Sequence, residues 1–217
     1  MSITAADVNK LRQMTGAGMM DCKKALTESN GDFEAAVDIL RKAGQKVAAK
    51  RAENATNEGV VLIAQNDDLS NAKLVALACE TEPVAKVEDF NNLAKNILDA
   101  AVKSDAKNAD ELLAQPLADG RTVNDHIIDL TGKIGEKITL TSYENLSSEK
   151  VITYIHSNNK IGVLVAFSNV QGADVVETGR DIAMQITAMK PVALDKDGVD
   201  AATIEREIEV GKEQARA

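Results

Sequence analysis

Few residues in this chain combine the side-chain types and spacing that enzyme chemistry needs. Gly16-Ala17-Gly18 is similar to part of a phosphate-binding loop, but no strand pattern precedes it and the GxxxxGK(S/T) motif is absent from the sequence. His126 and His156 lack neighbours at metal-ligand spacing, which favours a hydrogen-bonding or solvated role. Serines and carboxylates are too numerous for their presence to indicate a catalytic site. We therefore predict that the protein is not an enzyme and uses no cofactor or metal.

Cysteine usage and composition narrow the class of protein further. Cys22 and Cys79 lie far apart without CxxC spacing, so we expect both to be reduced core residues. The net charge of -9 and the 2% aromatic content argue against nucleic acid as the principal partner. We also expect no membrane contact, because neither a spanning segment nor a signal peptide is evident in the sequence, and hence a cytoplasmic location.

The stretch TGAGMMDCKKAL, residues 15–26, places Met19 and Met20 between a glycine-rich turn and a pair of lysines. Successive side chains of a helix point about 100° apart, so we expect one of the two methionines to face outward. Either methionine could instead fill the core of a small bundle. Composition alone favours that role for at least one of them, but Arg12 and Lys23 flank the pair, which is also consistent with an exposed docking patch with an apolar centre and a basic rim.

Charge is distributed unevenly along the chain. Residues 1–54 carry nine Lys and Arg against seven Asp and Glu, whereas the remainder carries sixteen against twenty-seven. This asymmetry is typical of two modules with different surfaces. The basic run of Lys46, Lys50 and Arg51 is consistent with either a solvated helical face or an interaction surface.

The first 45 residues have the pattern of three short helices. Thr4 and Asp7 resemble a capping box, and Val8, Leu11 and Met14 follow at helical spacing. The later boundaries come from cap and stop residues. We predict helix starts at Asp21 and Asp32 and helix ends at the TGAG turn, Asn30-Gly31 and Gly44.

From Gly59 onward the pattern changes to an α+β core. A hairpin followed by a helix occurs twice, first in GVVLIAQN and AKLVALACET and again in KVITYIH and KIGVLVAFS. We predict a helix over roughly residues 123–134 and then a strand, KITLTSY. The expected units are a three-helix module (1–45), a basic helical linker (46–58), two related core subdomains (59–145 and 146–195) and the start of a helical excursion (196–217). The last helix lacks a stop signal, so we expect it to continue in a longer protein.

The stretch LRQMTGAGMMDCKKALTESNGDFEAAVDILRKAG closely resembles the N-terminal module of bacterial and organellar elongation factor Ts, and nearly the whole chain continues the resemblance. ACETEPVAK resembles a divergent form of the family's Thr-Asp-Phe-Val segment, and KIGEKI, IHSNNKIGVLV and IAMQITAMKP follow in the family's order. The resemblance implies a ubiquitin-associated-like three-helix module, a core of two related subdomains, and a C-terminal portion beyond Ala217.

The resemblance also implies residues that contact elongation factor Tu, the family's partner, in its GDP-bound and nucleotide-free states. Glu82 and Pro83 stand where the family has an acidic residue and an aromatic wedge, so the sequence departs from the family there. We expect the proline to favour an extended backbone at Glu82. The implied set is Arg12, Met19, Met20, Lys23, Arg51, Glu82, Pro83, Val84, Ile134, Gly135 and His156.

The function implied is guanine nucleotide exchange on elongation factor Tu, without side-chain chemistry. The N-terminal module would dock on the partner's G domain, and the core would disturb its magnesium and phosphate contacts. The alternative is a ubiquitin-associated-like adaptor that binds proteins and exchanges nothing.

Overall fold

The computed structural model describes residues 3–216, in which N-terminal helices precede a core that contains the strands, as the sequence predicts. The helical part comprises α1 (Ala5–Thr15), α2 (Met19–Glu28) and α3 (Phe33–Lys50). The core follows as β1 (Glu58–Gln65), β2 (Asn71–Cys79), α4 (Glu82–Ala85), α5 (Glu88–Lys103), α6 (Ala109–Leu113), α7 (Val123–Ile134), β3 (Ile138–Ser147), β4 (Lys150–Ile155), β5 (Gly162–Phe167), α8 (Val176–Met189), a 3-10 turn (Lys196–Gly198) and α9 (Ala201–Arg216).

Helices α1 to α3 begin and end mostly where the sequence signals predict. Thr4 and Asp7 form the capping box of α1, Gly16 ends that helix in the left-handed conformation, and Asp32 caps α3. The start of α2 was predicted wrongly, because Gly18, not Asp21, is the residue that precedes the helix. Asp21 lies in the first turn instead, where its negative charge interacts favourably with the positive end of the helix dipole. The three helices enclose a small core.

Helix α3 does not end at Gly44, as the sequence suggested, but runs on to Lys50. Gly44 is buried where α3 crosses α7, and a Cβ added at Gly132 would lie 2.6 Å from the Gly44 Cα. Gly132 therefore permits a close approach of the two backbones, which outweighs its low helix propensity. A Cβ at Gly44 would lie 3.5 Å from the Ile128 carbonyl oxygen, an ordinary contact distance. Residues 46–50 of the predicted helical linker belong to α3, whereas residues 51–57 form turns and irregular chain rather than helix.

The strands form two antiparallel sheets within residues 3–216, one ordered β1-β2-β3 and the other β4-β5. Helix α5 packs Phe90, Leu93 and Ile97 into the core beneath the first sheet, and α8 packs on the second. Helix α7 has the bounds that the sequence predicted. The hairpin-then-helix order is therefore present twice, while the division of the chain at residues 45, 58, 145 and 195 stays a prediction.

The β4–β5 hairpin turns back onto the first sheet. Its tip contains Asn159 at φ +54°, as expected for an asparagine turn, and the Asn159 carbonyl accepts a hydrogen bond of 2.7 Å from the Val61 amide on β1. A Cβ at Gly162 would lie 2.6 Å from the Val61 Cγ1. The two hairpins therefore meet without a gap.

Two short helices, α4 and α6, were missed by the sequence analysis. The prediction that Glu82 is extended was wrong, because Glu82 is the first residue of α4 and Thr81 is the extended residue before it. Pro83 lies in the first turn, where backbone amides have no partner within the helix, so its missing amide hydrogen costs no hydrogen bond.

Helix α9 begins after Asp200, within the predicted excursion, and Ile204 and Ile208 lie partly exposed along it. Ala217, where the sequence predicts that the helix has not yet ended, lies outside the described residues. None of the described helices combines the length and hydropathy that a membrane span requires.

Candidate functional site

Both methionines of the predicted docking patch face outward. The Met19 side chain is 51% exposed and the Met20 side chain 73% exposed, so the expectation that only one of them is exposed was wrong. They are the first two residues of α2 and precede its buried face, which begins at Cys22. Arg12 and Lys23 are exposed nearby along the chain. A shallow depression on the outer side of α2 is lined by Met20, Asp21, Lys23, Lys24, Thr27 and Glu28.

Arg51, predicted as a contact residue, is held within the molecule. Its Nη1 donates hydrogen bonds to both oxygens of Glu80, at 2.9 and 3.0 Å. The Glu80 carboxylate also accepts bonds from the Asn54 Nδ2, at 2.9 Å, and from the Lys137 amide, at 2.6 Å. The amide of Lys137, followed by the guanidinium of Arg51, lowers the pKa of Glu80, so the group is ionised at neutral pH.

Glu82 and Pro83 are exposed at the start of α4, whereas Val84 is buried. The Val84 side chain belongs to the main core, so it presents little surface to a partner. Lys86 pairs with Glu82 at 2.9 Å and is the main cause of the lowered Glu82 pKa, with a smaller effect from the charge of Lys160. Lys160 lies in the tip of the β4–β5 hairpin.

Ile134 and Gly135 form the C-terminal end of α7. Gly135 has φ +82°, and its amide donates to the Thr131 carbonyl at 2.8 Å. A side chain at Gly135 would meet open space, so only the backbone conformation requires glycine there. Ile134 is half-buried and packs against the main core.

His156 lies at the end of β4, where the hairpin turns. Its Nδ1 is 3.1 Å from the Tyr154 hydroxyl, and its amide donates to the Ile161 carbonyl. In the same tip, the Lys160 Nζ is 2.6 Å from a Glu58 carboxylate oxygen, and the hydrogen bond to Glu58, followed by its charge, raises the pKa of Lys160. This ion pair fixes the tip to the start of β1.

The predicted site residues therefore fall into two groups. Arg12, Met19, Met20 and Lys23 lie on the helical module, and the remaining exposed candidates lie at the start of α4 and on loops of the core. Sequence reasoning missed the residues that hold these loops, namely Glu58, Glu80, Lys137 and Lys160. They are charged residues in a chain with 25 Lys and Arg and 34 Asp and Glu, so composition offers no signal for them.

The two histidines have hydrogen-bonding surroundings, as predicted. The His126 Nε2 lies 3.0 Å from Asp119, beside a groove between the helical module and the core. Among residues 3–216, no group of three or more His, Cys, Asp or Glu side chains is arranged to hold a metal ion. None of the site residues described above forms a pair of nucleophile and base.

Comparison with known proteins supports one family. The sequence model described as Elongation factor TS matches residues 80–217. The chain is 68% identical to elongation factor Ts of Cytophaga hutchinsonii over 216 residues, which cover 100% of this chain and 78% of that protein. It is 51% identical to elongation factor Ts of Amoebophilus asiaticus, over 99% of this chain and 77% of the relative. The corresponding protein of Bacteroides thetaiotaomicron is 45% identical, over 100% of this chain and 64% of its own length.

The family match includes the core loops, and the full-length relatives extend it across the helical module. Identity of 68% over the whole chain is far higher than unrelated sequences reach by chance. The chain therefore belongs to the elongation factor Ts family of translation elongation factors.

Proposed function

We propose that this protein is a guanine nucleotide exchange factor for elongation factor Tu and promotes GDP release during translation elongation in the cytoplasm. The observation that carries the proposal is the outward-facing pair Met19 and Met20, with Arg12 and Lys23 close by in the chain. Two adjacent exposed methionines with basic neighbours fit a protein partner better than a core or a solvated surface.

The proposed mechanism is a division of labour between the two groups of residues. The methionine patch docks on the G domain of the partner and supplies affinity. The core loops with Glu82, Pro83, Gly135 and His156 then approach the magnesium and phosphate region of the partner's nucleotide site. Magnesium demands near-ideal geometry, so a small displacement of its ligands weakens nucleotide binding.

Exchange of this kind involves no covalent step and no catalytic side chain. Thermodynamic linkage makes the effect reciprocal. The ratio by which this protein weakens GDP binding to elongation factor Tu equals the ratio by which GDP weakens binding of this protein. The factor therefore binds nucleotide-free partner more tightly than GDP-bound partner. Nucleic acid, membrane and cofactors have no part in the proposed mechanism.

Stopped-flow release of a fluorescent GDP analogue from purified elongation factor Tu tests the proposal. We expect the release rate to rise with the concentration of this chain and to reach a plateau. The alternative, a ubiquitin-associated-like adaptor, predicts binding of the partner with an unchanged release rate. Titration calorimetry in the same buffer separates that outcome from a failure to bind.

A further inference from the structure

Glu80 joins three segments that carry candidate contact residues. Through Arg51 and Asn54 it binds the chain that leaves α3, and through the Lys137 amide it binds the start of β3. Glu80 itself directly follows β2 and precedes α4. Its side chain is 17% exposed, so the carboxylate is directed into the molecule.

Two further contacts tighten the same junction. The Lys137 Nζ donates to the carbonyl oxygens of Ala52 and Asn54, at 2.6 and 3.0 Å. Glu136 accepts hydrogen bonds from the Thr81 amide and hydroxyl, at 3.1 and 2.8 Å. The loop before α4 and the loop after α7 are therefore bound to each other and to the exit of α3.

The orientation of the helical module depends on more than one contact. Helix α3 crosses α7 closely at Gly44 and Gly132, and a single close crossing allows rotation about the point of contact. Arg51 lies seven residues beyond Gly44, about 10 Å further along the chain at 1.5 Å per helical residue. The bond to Glu80 fixes the end of α3 at that distance and so sets the angle between the module and the core.

We propose that Glu80 is a positioning residue that holds the docking patch and the two core loops in the relative arrangement that nucleotide release requires. This inference rests on the proposed exchange function. Docking by Met19 and Met20 places the core loops correctly only if the module and the core are held at a fixed angle. Arg51 acts here through Glu80 rather than as a direct contact.

Glu80→Gln is the informative variant. Each oxygen of the carboxylate accepts two hydrogen bonds. Glutamine replaces one oxygen by an NH2 group, which is a donor and therefore cannot accept the two bonds made at that position. The volume is conserved, which limits the effect on folding. Glu209→Gln, which removes an exposed ion pair with Lys212 on α9, is the matched control.

The experiment measures GDP release from elongation factor Tu over a range of factor concentrations. For Glu80→Gln we expect the maximal rate to fall about tenfold or more, because a misplacement of about 1 Å is enough for losses of that size. We expect the half-saturating concentration to change by less than about twofold, because the methionine patch is intact. Glu209→Gln should match the unaltered chain in maximal rate and in half-saturating concentration.

A readout on the free protein tests the contact itself. Hydrogen exchange at the Lys137 amide, followed by NMR, should be faster in Glu80→Gln than in the unaltered chain, while the far-ultraviolet circular dichroism stays the same. A purely structural role would lower the melting temperature and leave the maximal rate unchanged below it.

The outcomes separate two failures. If the unaltered chain accelerates release and a folded Glu80→Gln variant reaches the same maximal rate, the inference is overturned and the proposed function stands. If the unaltered chain does not accelerate release, both are overturned. If Glu80→Gln does not fold, Arg51→Met, which keeps the side-chain stem and removes the charge, decides by the same measurements.

Discussion

Met20 illustrates how an exposed apolar side chain points to function. Methionine is commonly buried in folded proteins, yet this side chain is 73% exposed at the start of α2. Single exposed apolar residues are common on protein surfaces, but Met19 is exposed beside Met20, so the two form a larger apolar surface. Substitutions here should therefore affect binding more than folding.

Met20→Asp should weaken binding to elongation factor Tu by about 2 kcal/mol or more if Met20 is a central anchor of the interface. Titration calorimetry gives the affinity, and circular dichroism checks the helical content. Met189→Asp is the matched control, because Met189 is 74% exposed on α8, outside the predicted patch. Equal affinity of the Met20 variant and the unaltered chain would contradict the patch.

Pro83→Ala should slow GDP release by less than about tenfold, or about 1.4 kcal/mol of barrier. Pro83 offers less surface than an aromatic ring, and alanine is well tolerated in a helical turn. Stopped-flow release at saturating factor checks this. A hundredfold loss with affinity preserved would show that the proline itself acts as the wedge.

Cys79 should react slowly with thiol reagents in the folded protein. Burial, with a contribution from the charge of Glu136, raises its pKa to about 11, so little thiolate is present at pH 8. Spectrophotometric titration with an aromatic disulfide should show slow reaction in buffer and rapid reaction of both cysteines in denaturant. Rapid modification of Cys79 without denaturant would contradict the burial.

The sequence was informative about some site residues and silent about others. The methionine pair was conspicuous because two large apolar neighbours cannot share one face of a helix. Glu80 and Lys137 gave no signal, because their role depends on contacts between residues far apart in the chain. Exposure of both methionines was also not predictable, since it depends on where the helix starts relative to its buried face.

At the level of elements, Gly44 shows why helix ends are harder to predict than helices. Glycine ends a helix when it adopts the left-handed conformation, but it also permits close helix crossings. The sequence pattern is the same in both cases. The structure places the Gly44 backbone against Gly132 of α7, which lies far away in the sequence, so the crossing could not be predicted from the residues around Gly44. Helix α7, with a capping box at Thr122 and Gly135 at its end, was predicted with its full bounds.

Gly132→Ala should destabilise the fold by about 1–3 kcal/mol, because the added methyl group would push α3 and α7 apart. Urea denaturation followed by circular dichroism measures the free energy of unfolding. Gly211→Ala is the control, since a Cβ at Gly211 on α9 meets no atom within 4 Å. That change should leave the fold intact and favour the helix by about 1 kcal/mol. Equal stability of the Gly132 variant and the unaltered chain would contradict the close crossing.

At the scale of the whole molecule, carboxylates that cap helices or join elements make stability dependent on pH. The Thr122 hydroxyl is the main cause of a lowered pKa at Asp125, and the Lys137 amide is the main cause at Glu80. A carboxylate with a lowered pKa stabilises the fold above its ordinary value, which is 3.8 for Asp125 and 4.5 for Glu80. That stabilisation is lost as the pH falls through the pKa of the folded state.

We therefore expect the free energy of unfolding to stay level from pH 7 to about pH 5 and to fall below about pH 4. Urea titrations at several pH values measure it. Asp125→Asn removes one contributing group, so its stability should fall less steeply in acid. A free energy of unfolding that is the same at pH 7 and pH 3 would contradict this assignment.

The contact between the Asn159 carbonyl and the Val61 amide has a consequence for solubility. Strand β1 lies at an edge of its sheet, and the unpaired amides of an edge strand are a template for pairing with another chain. The hairpin tip covers this edge at Val61, and Gly162 packs over the neighbouring side chains. A substitution that releases the tip would therefore uncover a strand edge and promote aggregation through intermolecular β-pairing.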